Sequence, residues 1–173
     1  NVHIEKGEFV FVVGTSGSGK TTFIELLLHE LTPTKGKIKV AGYDYSKIKS
    51  RQIPRLRRKL GVVFQNFRLL KDRTVYENVA LPLALSKLKK EEVKKRVYEA
   101  LEKVGMTDFQ NKIATTLSGG ETQRVAISRA IVNNQSILFA DEPCGNLDVK
   151  NGEIVMELLR KLANSFSKFS DTL

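Results

Sequence analysis

Short apolar runs alternate along this sequence with segments in which apolar residues recur at helical spacing. The runs cover residues 9–13, 60–64 and 137–140, and their β-branched and aromatic content predicts buried strands, the second lying beside the first. The helical spacing predicts helices over residues 22–31, 74–83, 89–104, 118–132 and about 153–162. Strands that alternate with helices predict one α/β domain with a mainly parallel sheet, whose ligands bind at the carboxyl ends of its strands.

Smaller elements are predicted between the first helix and the second apolar run. Residues 37–40 alternate between polar and apolar, and Gly42 follows them, which predicts a short peripheral strand and a turn. Residues 51–59 predict a short basic helix with Pro54 near its first turn. Further along, Thr74 and Glu77 have the spacing of a capping box, so we expect a helix to begin there.

The composition favours a single globular domain in a reducing compartment. A chain of 173 residues that is 41% hydrophobic can build a packed core. No apolar run approaches the roughly 20 residues of a membrane-spanning helix, and the lone Cys144 cannot form an internal disulfide, which favours a cytoplasmic location. The net charge of +10 is compatible with nucleic acid, an anionic membrane surface or phosphate ligands, and it does not choose among them.

A glycine-rich segment between the first apolar run and the first helix fits the phosphate-loop pattern GxxxxGK[ST] at every fixed position. Its backbone N–H groups can surround phosphate oxygens at a helix N-terminus, while the Lys20 charge faces the β and γ phosphates and the Thr21 hydroxyl coordinates Mg²⁺. The alternative is a glycine-rich turn without a ligand. The predicted nucleotide contacts are Gly14, Thr15, Ser16, Gly17, Ser18, Gly19, Lys20, Thr21 and Thr22.

Two acidic residues follow the third apolar run directly. A carboxylate at Asp141, at the tip of a strand, can hold Mg²⁺ directly or through water. The adjacent Glu142 is placed to polarise a water for in-line attack on the γ phosphate, so we predict that it is the general base. The alternative is a pair of surface acids that cap the loop.

The segment Leu117–Glu121 precedes a predicted helix and reads Leu-Ser-Gly-Gly-Glu. Ser118 and the amides of Gly119 and Gly120 form a second anion site at a helix N-terminus. This motif resembles the signature of the ATP-binding cassette ATPases, in which it grips the γ phosphate across a dimer. Gln65 resembles the family's Q-loop, and residues 145–148 resemble its D-loop.

This resemblance implies a P-loop NTPase of the cassette type, with a mainly parallel sheet, a peripheral antiparallel β part and a helical subdomain. A RecA-like core would cover about residues 1–65 and 130–173, and the helical subdomain about residues 66–129. It also assigns Gln65 to catalysis and metal binding beside Asp141. Further ATP contacts across the dimer would come from Ser118, Gly119, Gly120, Glu121 and Asp148.

Within the family, residues 53–58, 63–70 and 72–79 resemble a branch that works in cell division. That resemblance implies a homodimer across ATP and Mg²⁺, at the inner face of the plasma membrane, which moves an integral membrane subunit and so controls cell-wall hydrolases. The subunit would dock near Phe67, Leu69 and Leu70.

Several alternatives stay open at this stage. An ATPase for lipoprotein release or macrolide efflux shares the pattern of residues 141–148, and a nucleotide-dependent clamp would not hydrolyse ATP. A P-loop kinase has no use for Leu117–Glu121. We expect no nucleic-acid partner, because DNA-repair relatives interpose long coiled-coil arms before the signature.

Two family elements have no match in the sequence. The switch histidine should follow the helix at about 153–162, yet the only histidines are His3 and His29. The N-terminal aromatic that stacks on adenine is also missing. We therefore expect a chain truncated at both ends, with impaired hydrolysis.

Overall fold

The computed structural model of the chain describes residues 2–5, 7–15 and 17–168. Six α-helices and four strands follow one another in this part of the chain. The helices are α1 (Lys20–Leu27), α2 (Ile53–Arg58), α3 (Val75–Ala80), α4 (Lys90–Lys103), α5 (Gly119–Ile131) and α6 (Val149–Lys168). The strands are β1 (Lys39–Val40), β2 (Tyr43–Asp44), β3 (Leu60–Val63) and β4 (Ile137–Ala140).

The strands form two small sheets. β3 and β4 are parallel, with Leu60 opposite Ile137 and Val63 opposite Ala140, so the residues after both strands emerge at the same edge. β1 and β2 are antiparallel and are joined by two residues with positive φ, as in the tight hairpin turns that match strand twist. The parallel pairing and the peripheral antiparallel part are as predicted.

The predicted strand over residues 9–13 is wrong. These residues have no regular secondary structure, and their side chains are 40–86% exposed, although the rings of Phe9 and Phe11 contact each other edge to face. Periodicity reports a tendency to be buried, but a strand forms only where a second backbone pairs with it. Among the described residues, the second apolar run pairs with the third and not with the first.

The helix predictions are confirmed, with differences at the ends that have local causes. α1 spans Lys20–Leu27 and not residues 22–31, because His29 adopts a left-handed conformation at φ 55°. α3 gives way to a 3-10 turn over Leu81–Leu83, where Pro82 has no N–H to continue the helix. The predicted capping box at Thr74 is present and begins α3.

The last helix extends beyond its predicted range of about 153–162, because α6 continues to Lys168. In the family, a strand with the switch histidine would follow this helix, and that region of the chain lies partly outside the described residues. Among the described helices, none has the combination of length and apolar character that crossing a bilayer requires.

The helices and the parallel sheet pack around two apolar clusters. The larger cluster joins residues from α3, α4, α5, α6 and β3, and the smaller one surrounds Leu28, Val40, Leu56 and Leu60. α5 packs closely on the sheet at Gly61, where an added Cβ would lie 2.4 Å from the carbonyl oxygen of Ala130. Any side chain at this position would require α5 to move.

Candidate active site

The phosphate loop leads directly into α1. Gly17 and Gly19 have φ of 77° and 91°, in the region that glycine tolerates best, and Gly19 is the last residue before the helix. A Cβ at Gly14 would lie 2.5 Å from Oγ of Ser18, so a side chain there would require the loop to shift. Ser16 lies outside the described residues. The Ser18 N–H donates to the carbonyl oxygen of Thr15 at 3.2 Å, and the loop ends at the N-terminus of α1, where anions are bound favourably.

The Lys20 side chain folds across this loop. Its Nζ atom donates hydrogen bonds to the carbonyl oxygens of Gly14, at 2.9 Å, and Thr15, at 3.0 Å. An ammonium group has three N–H donors, so the third remains for a phosphate oxygen. The positive charge of Lys20 therefore lies against the loop, and its contact with phosphate stays a prediction.

Thr21 and Asp141 meet although they are 120 residues apart in sequence. The Thr21 hydroxyl donates to Oδ2 of Asp141 at 3.3 Å, which joins the start of α1 to the end of β4. A hydroxyl and a carboxylate side by side are the hard oxygen ligands that Mg²⁺ prefers. Among the described residues, no group of three or more histidine, cysteine, aspartate or glutamate side chains is placed to hold a metal ion. The donor set therefore fits a metal ion that takes most of its ligands from phosphate and water.

A second pair forms at the same edge of the sheet. Nε2 of Gln65 donates to Oε2 of Glu142 at 3.1 Å, and the Asn146 side chain donates to the carbonyl oxygen of Gln65 at 3.1 Å. Glu142 is exposed and has a left-handed backbone at φ 45°, which is uncommon for a residue with a side chain. The contact leaves Oε1 of Glu142 able to accept a proton.

The signature residues begin α5. Ser118 is the N-cap residue, and the carboxylate of Glu121 accepts a hydrogen bond from the Ser118 N–H at 2.8 Å. This hydrogen bond lowers the pKa of Glu121. Within the described part of the chain, no hydrogen bond or ion pair joins residues 118–121 to the phosphate loop. One copy of the chain does not connect its two anion sites in this way.

The D-loop residue Asp148 caps α6. Its carboxylate accepts from the backbone N–H of Asn151 at 3.0 Å and from the Asn151 side chain at 2.6 Å, and these bonds lower the pKa of Asp148. The Asn151 side chain lies so near Gly120 that a Cβ there would be 2.5 Å from Oδ1 of Asn151. Contact through Asn151 thus links the D-loop to the signature within one chain.

Two polar side chains that sequence reasoning missed hold the loop after Gln65. Arg129 of α5 donates to the carbonyl oxygens of Phe67 and Arg68, each at 2.6 Å, and both of those residues have φ of 50°. Burial lowers the pKa of Arg129, while the buried Asn78 binds both the N–H and the carbonyl of Leu70. No local sequence signal pointed to Arg129, because its two partners lie 61 and 62 positions earlier in the chain.

Removal of the Arg129 contacts should slow turnover. We expect Arg129→Gln to lower the ATPase rate about tenfold while ATP affinity changes little, because two hydrogen bonds from a charged donor, each contributing about 1.5–3 kcal/mol, hold the loop and not the nucleotide. Arg129→Lys should restore only part of the rate. Steady-state hydrolysis and ATP binding would be measured beside Arg124→Gln, a control on the same helix; equal rates for the two glutamine variants would contradict the assignment.

Comparison with known proteins places the chain in a family. It matches the ABC transporter family over residues 1–145. The chain belongs to this family, the ATP-binding cassette ATPases, which confirms the predicted fold and enzyme class. Among curated relatives, the cell division ATP-binding protein FtsE of Mycobacterium tuberculosis is 48% identical over 162 residues, covering 94% of this chain and 70% of that protein. The FtsE of Bacillus subtilis is 48% identical over 164 residues, covering 95% of this chain and 72% of that protein.

Solved structures of cassettes are similar as well. The dimeric structure of MJ0796, a bacterial ABC transporter cassette, has a TM-score of 0.83 and 40% sequence identity, covering 95% of this chain and 73% of that one. A dimeric post-hydrolysis state of MJ0796 bound to ADP and Pi has a TM-score of 0.82 at 39% identity, covering 95% of this chain and 73% of that one. The similarity extends over nearly all of the chain.

Proposed function

We propose that this chain is the ATP-binding and ATP-hydrolysing subunit of an FtsEX-like complex in bacterial cell division. It dimerises on ATP and transmits motion through a membrane partner to cell-wall hydrolases. The observation that carries the ATP-hydrolysing part of the proposal is the meeting of two pairs, Thr21 with Asp141 and Gln65 with Glu142, at one edge of the parallel sheet. The division role is supported by the FtsE relatives, which are 48% identical to this chain. These pairs supply the ligands and the base that phosphoryl transfer to water needs.

Each of these residues has a separate task in the proposed reaction. Lys20 and the loop amides bind the β and γ phosphates, and Thr21, Asp141 and Gln65 would hold Mg²⁺, which when bound neutralises charge on the phosphate oxygens. Glu142 accepts a proton from the attacking water while the oxygen of that water bonds to the γ phosphorus. The bond to the bridging oxygen then breaks, which releases ADP and phosphate.

Two copies of the chain are needed to complete the proposed site. The N-terminus of α5 presents Ser118 and Gly119 on the surface, while Gly120 is buried. A second copy that faces the first would bring Ser118, Gly119, Glu121 and Asp148 to the γ phosphate held by its partner's loop. The dimeric cassette structures of MJ0796 support a dimer of this chain.

The loop after Gln65 is the proposed docking site for an FtsX-like integral membrane subunit. Leu70 is 42% exposed, and Phe67 is half-buried. Leu69 packs against the larger apolar cluster, so its side chain contributes to the fold more than to a partner. Docking at Phe67 and Leu70 would hold this chain at the inner face of the plasma membrane, with the membrane subunit next to Gln65.

A complementation experiment tests this function. In the native host, depletion of the protein should block division, and a copy that carries Leu70→Asp should fail to restore it, because a charge on the docking surface weakens contact with the membrane subunit. Leu85→Asp is the matched control, since Leu85 is 89% exposed and lies outside this loop. Cell length and co-purification of the membrane subunit would be measured.

Different outcomes identify different errors. Normal division after depletion, with lipoproteins retained in the membrane or lost macrolide resistance, would replace the division role with an export role. Full partner binding by Leu70→Asp would refute the docking surface alone. ATP binding without any hydrolysis in a single-turnover measurement would favour the non-hydrolysing clamp.

A further inference from the structure

Residues 35–59 form a small lobe, which we call the basic lobe. The β1–β2 hairpin and α2 pack around the smaller apolar cluster, in which Val40 and Leu56 are buried. Ile38, Tyr43, Tyr45 and Ile48 pack against the same cluster. The same cluster includes Leu28, which follows α1, and Leu60 of β3, so one core holds the hairpin and α2 against the rest of the chain.

Almost all of the net charge lies on this lobe. Its 25 residues carry ten Lys and Arg against the single carboxylate of Asp44, which accounts for nine of the ten net positive charges. The other 148 residues carry 19 cations and 18 acids and are nearly neutral. All ten cations are exposed: Lys35, Lys37, Lys39, Lys47, Lys49, Arg51, Arg55, Arg57, Arg58 and Lys59.

The charges of the basic lobe are not neutralised by the chain itself. Among the described residues none of the ten forms a salt bridge, whereas Arg73, Lys95, Arg96 and Lys161 each pair with a carboxylate elsewhere. Asp44 is occupied within its own turn, where the Ser46 hydroxyl and N–H lower its pKa, with smaller contributions from Lys47 and Lys37. The lobe therefore presents a concentrated positive field to solvent.

We propose that the basic lobe binds the anionic phospholipid headgroups of a membrane. The inference rests on the proposed function, in which the chain works beside an integral membrane subunit. Clustered Lys and Arg are attracted to an anionic leaflet over a Debye length of about 8 Å. The lysine and arginine side chains of the lobe are long and flexible. They suit a fluid surface of headgroups, because binding to such a surface requires no fixed geometry.

Nucleic acid is the competing polyanion, and the lobe is poorly built for it. Single strands bind on exposed aromatic rings, but Tyr43 and Tyr45 are half-buried, and the Tyr45 hydroxyl donates to the carbonyl of Leu27. α2 has only six residues, which is short for reading a groove. The lobe thus offers positive charge, but it has neither exposed aromatic rings nor a long helix with which to contact bases.

Vesicle binding tests the proposal on the whole chain without nucleotide. Wild-type protein should bind vesicles of phosphatidylglycerol and phosphatidylcholine, and should not bind vesicles of phosphatidylcholine alone. We expect the quadruple variant R51Q/R55Q/R57Q/R58Q to lose at least about tenfold in affinity for the anionic vesicles. The matched control is K90Q/K94Q/K103Q/K150Q, which removes the same charge from exposed lysines outside the lobe and should bind like wild type.

Equal losses in the two variants would overturn the proposal, because net charge alone would then explain binding. Tighter binding of a DNA duplex than of anionic vesicles, with the same residues required, would also overturn it in favour of nucleic acid. If the quadruple variant unfolds by circular dichroism, K35Q/K37Q/K39Q/K47Q provides the same test outside α2. Failure of the proposed function would appear as lost ATP hydrolysis, which this nucleotide-free measurement does not involve.

Discussion

Replacement of Lys20 by alanine is expected to abolish ATP binding at micromolar concentrations, with a loss of about a hundredfold or more. The substitution removes the positive charge that faces the β and γ phosphates, and hydrogen bonds from a charged donor contribute about 1.5–3 kcal/mol each. It also removes the two bonds by which Nζ of Lys20 ties the carbonyls of Gly14 and Thr15 together. Both effects weaken the same site.

Two further variants test whether the position and the geometry of the positive charge matter. Lys20→Arg keeps a positive group but changes its geometry, so it should recover binding only in part. Lys90→Ala removes an exposed lysine at the start of α4 and should bind ATP normally. Equilibrium binding of labelled ATP would be measured for all three, and an unchanged affinity for Lys20→Ala would refute the phosphate site.

The second large effect is expected at Glu142. Glu142→Gln should retain ATP binding and slow hydrolysis about 10²–10⁴-fold, because an amide cannot accept the proton of the attacking water. The amide oxygen can still accept the hydrogen bond that Gln65 donates at 3.1 Å, so the surrounding geometry should persist. The substitution therefore isolates proton acceptance from positioning.

Single-turnover hydrolysis and ATP affinity would be measured together for this variant. Glu153→Gln is the control, since Glu153 is an exposed carboxylate on α6 without a salt bridge among the described residues. Because the slow variant keeps its ATP, it should also accumulate as a dimer in size-exclusion chromatography with ATP. Hydrolysis at the parent rate would show that Glu142 is not the base.

Local patterns were enough to predict much of the fold. The predicted capping box at Thr74 involves residues three apart, so it could be read from the sequence, and it sets the start of α3. The box at Ser118 has the same spacing and starts α5, but it was not predicted. The prediction of a strand over residues 9–13 was wrong because strand pairing depends on a distant segment of backbone, which the local periodicity does not specify.

In the candidate site, too, local motifs could be predicted and long-range contacts could not. The phosphate loop and the acids after β4 were predicted because each is a contiguous motif. Arg129 was missed because its hydrogen bonds reach residues 61 and 62 positions earlier, and no local pattern encodes them. The left-handed backbone of Glu142 could not be predicted either, since its side chain does not favour that conformation.

The close contact at Gly61 affects how natural variants of this protein should be interpreted. Gly61 is not itself a predicted ATP ligand, yet it sets the separation between α5 and the sheet. The same helix is capped by Ser118 and carries Arg129, so a larger residue at Gly61 would displace the signature and the residue that holds the loop after Gln65 together. A random-mutagenesis screen for loss of ATPase activity would therefore recover substitutions at Gly61, although Gly61 contacts no predicted ligand.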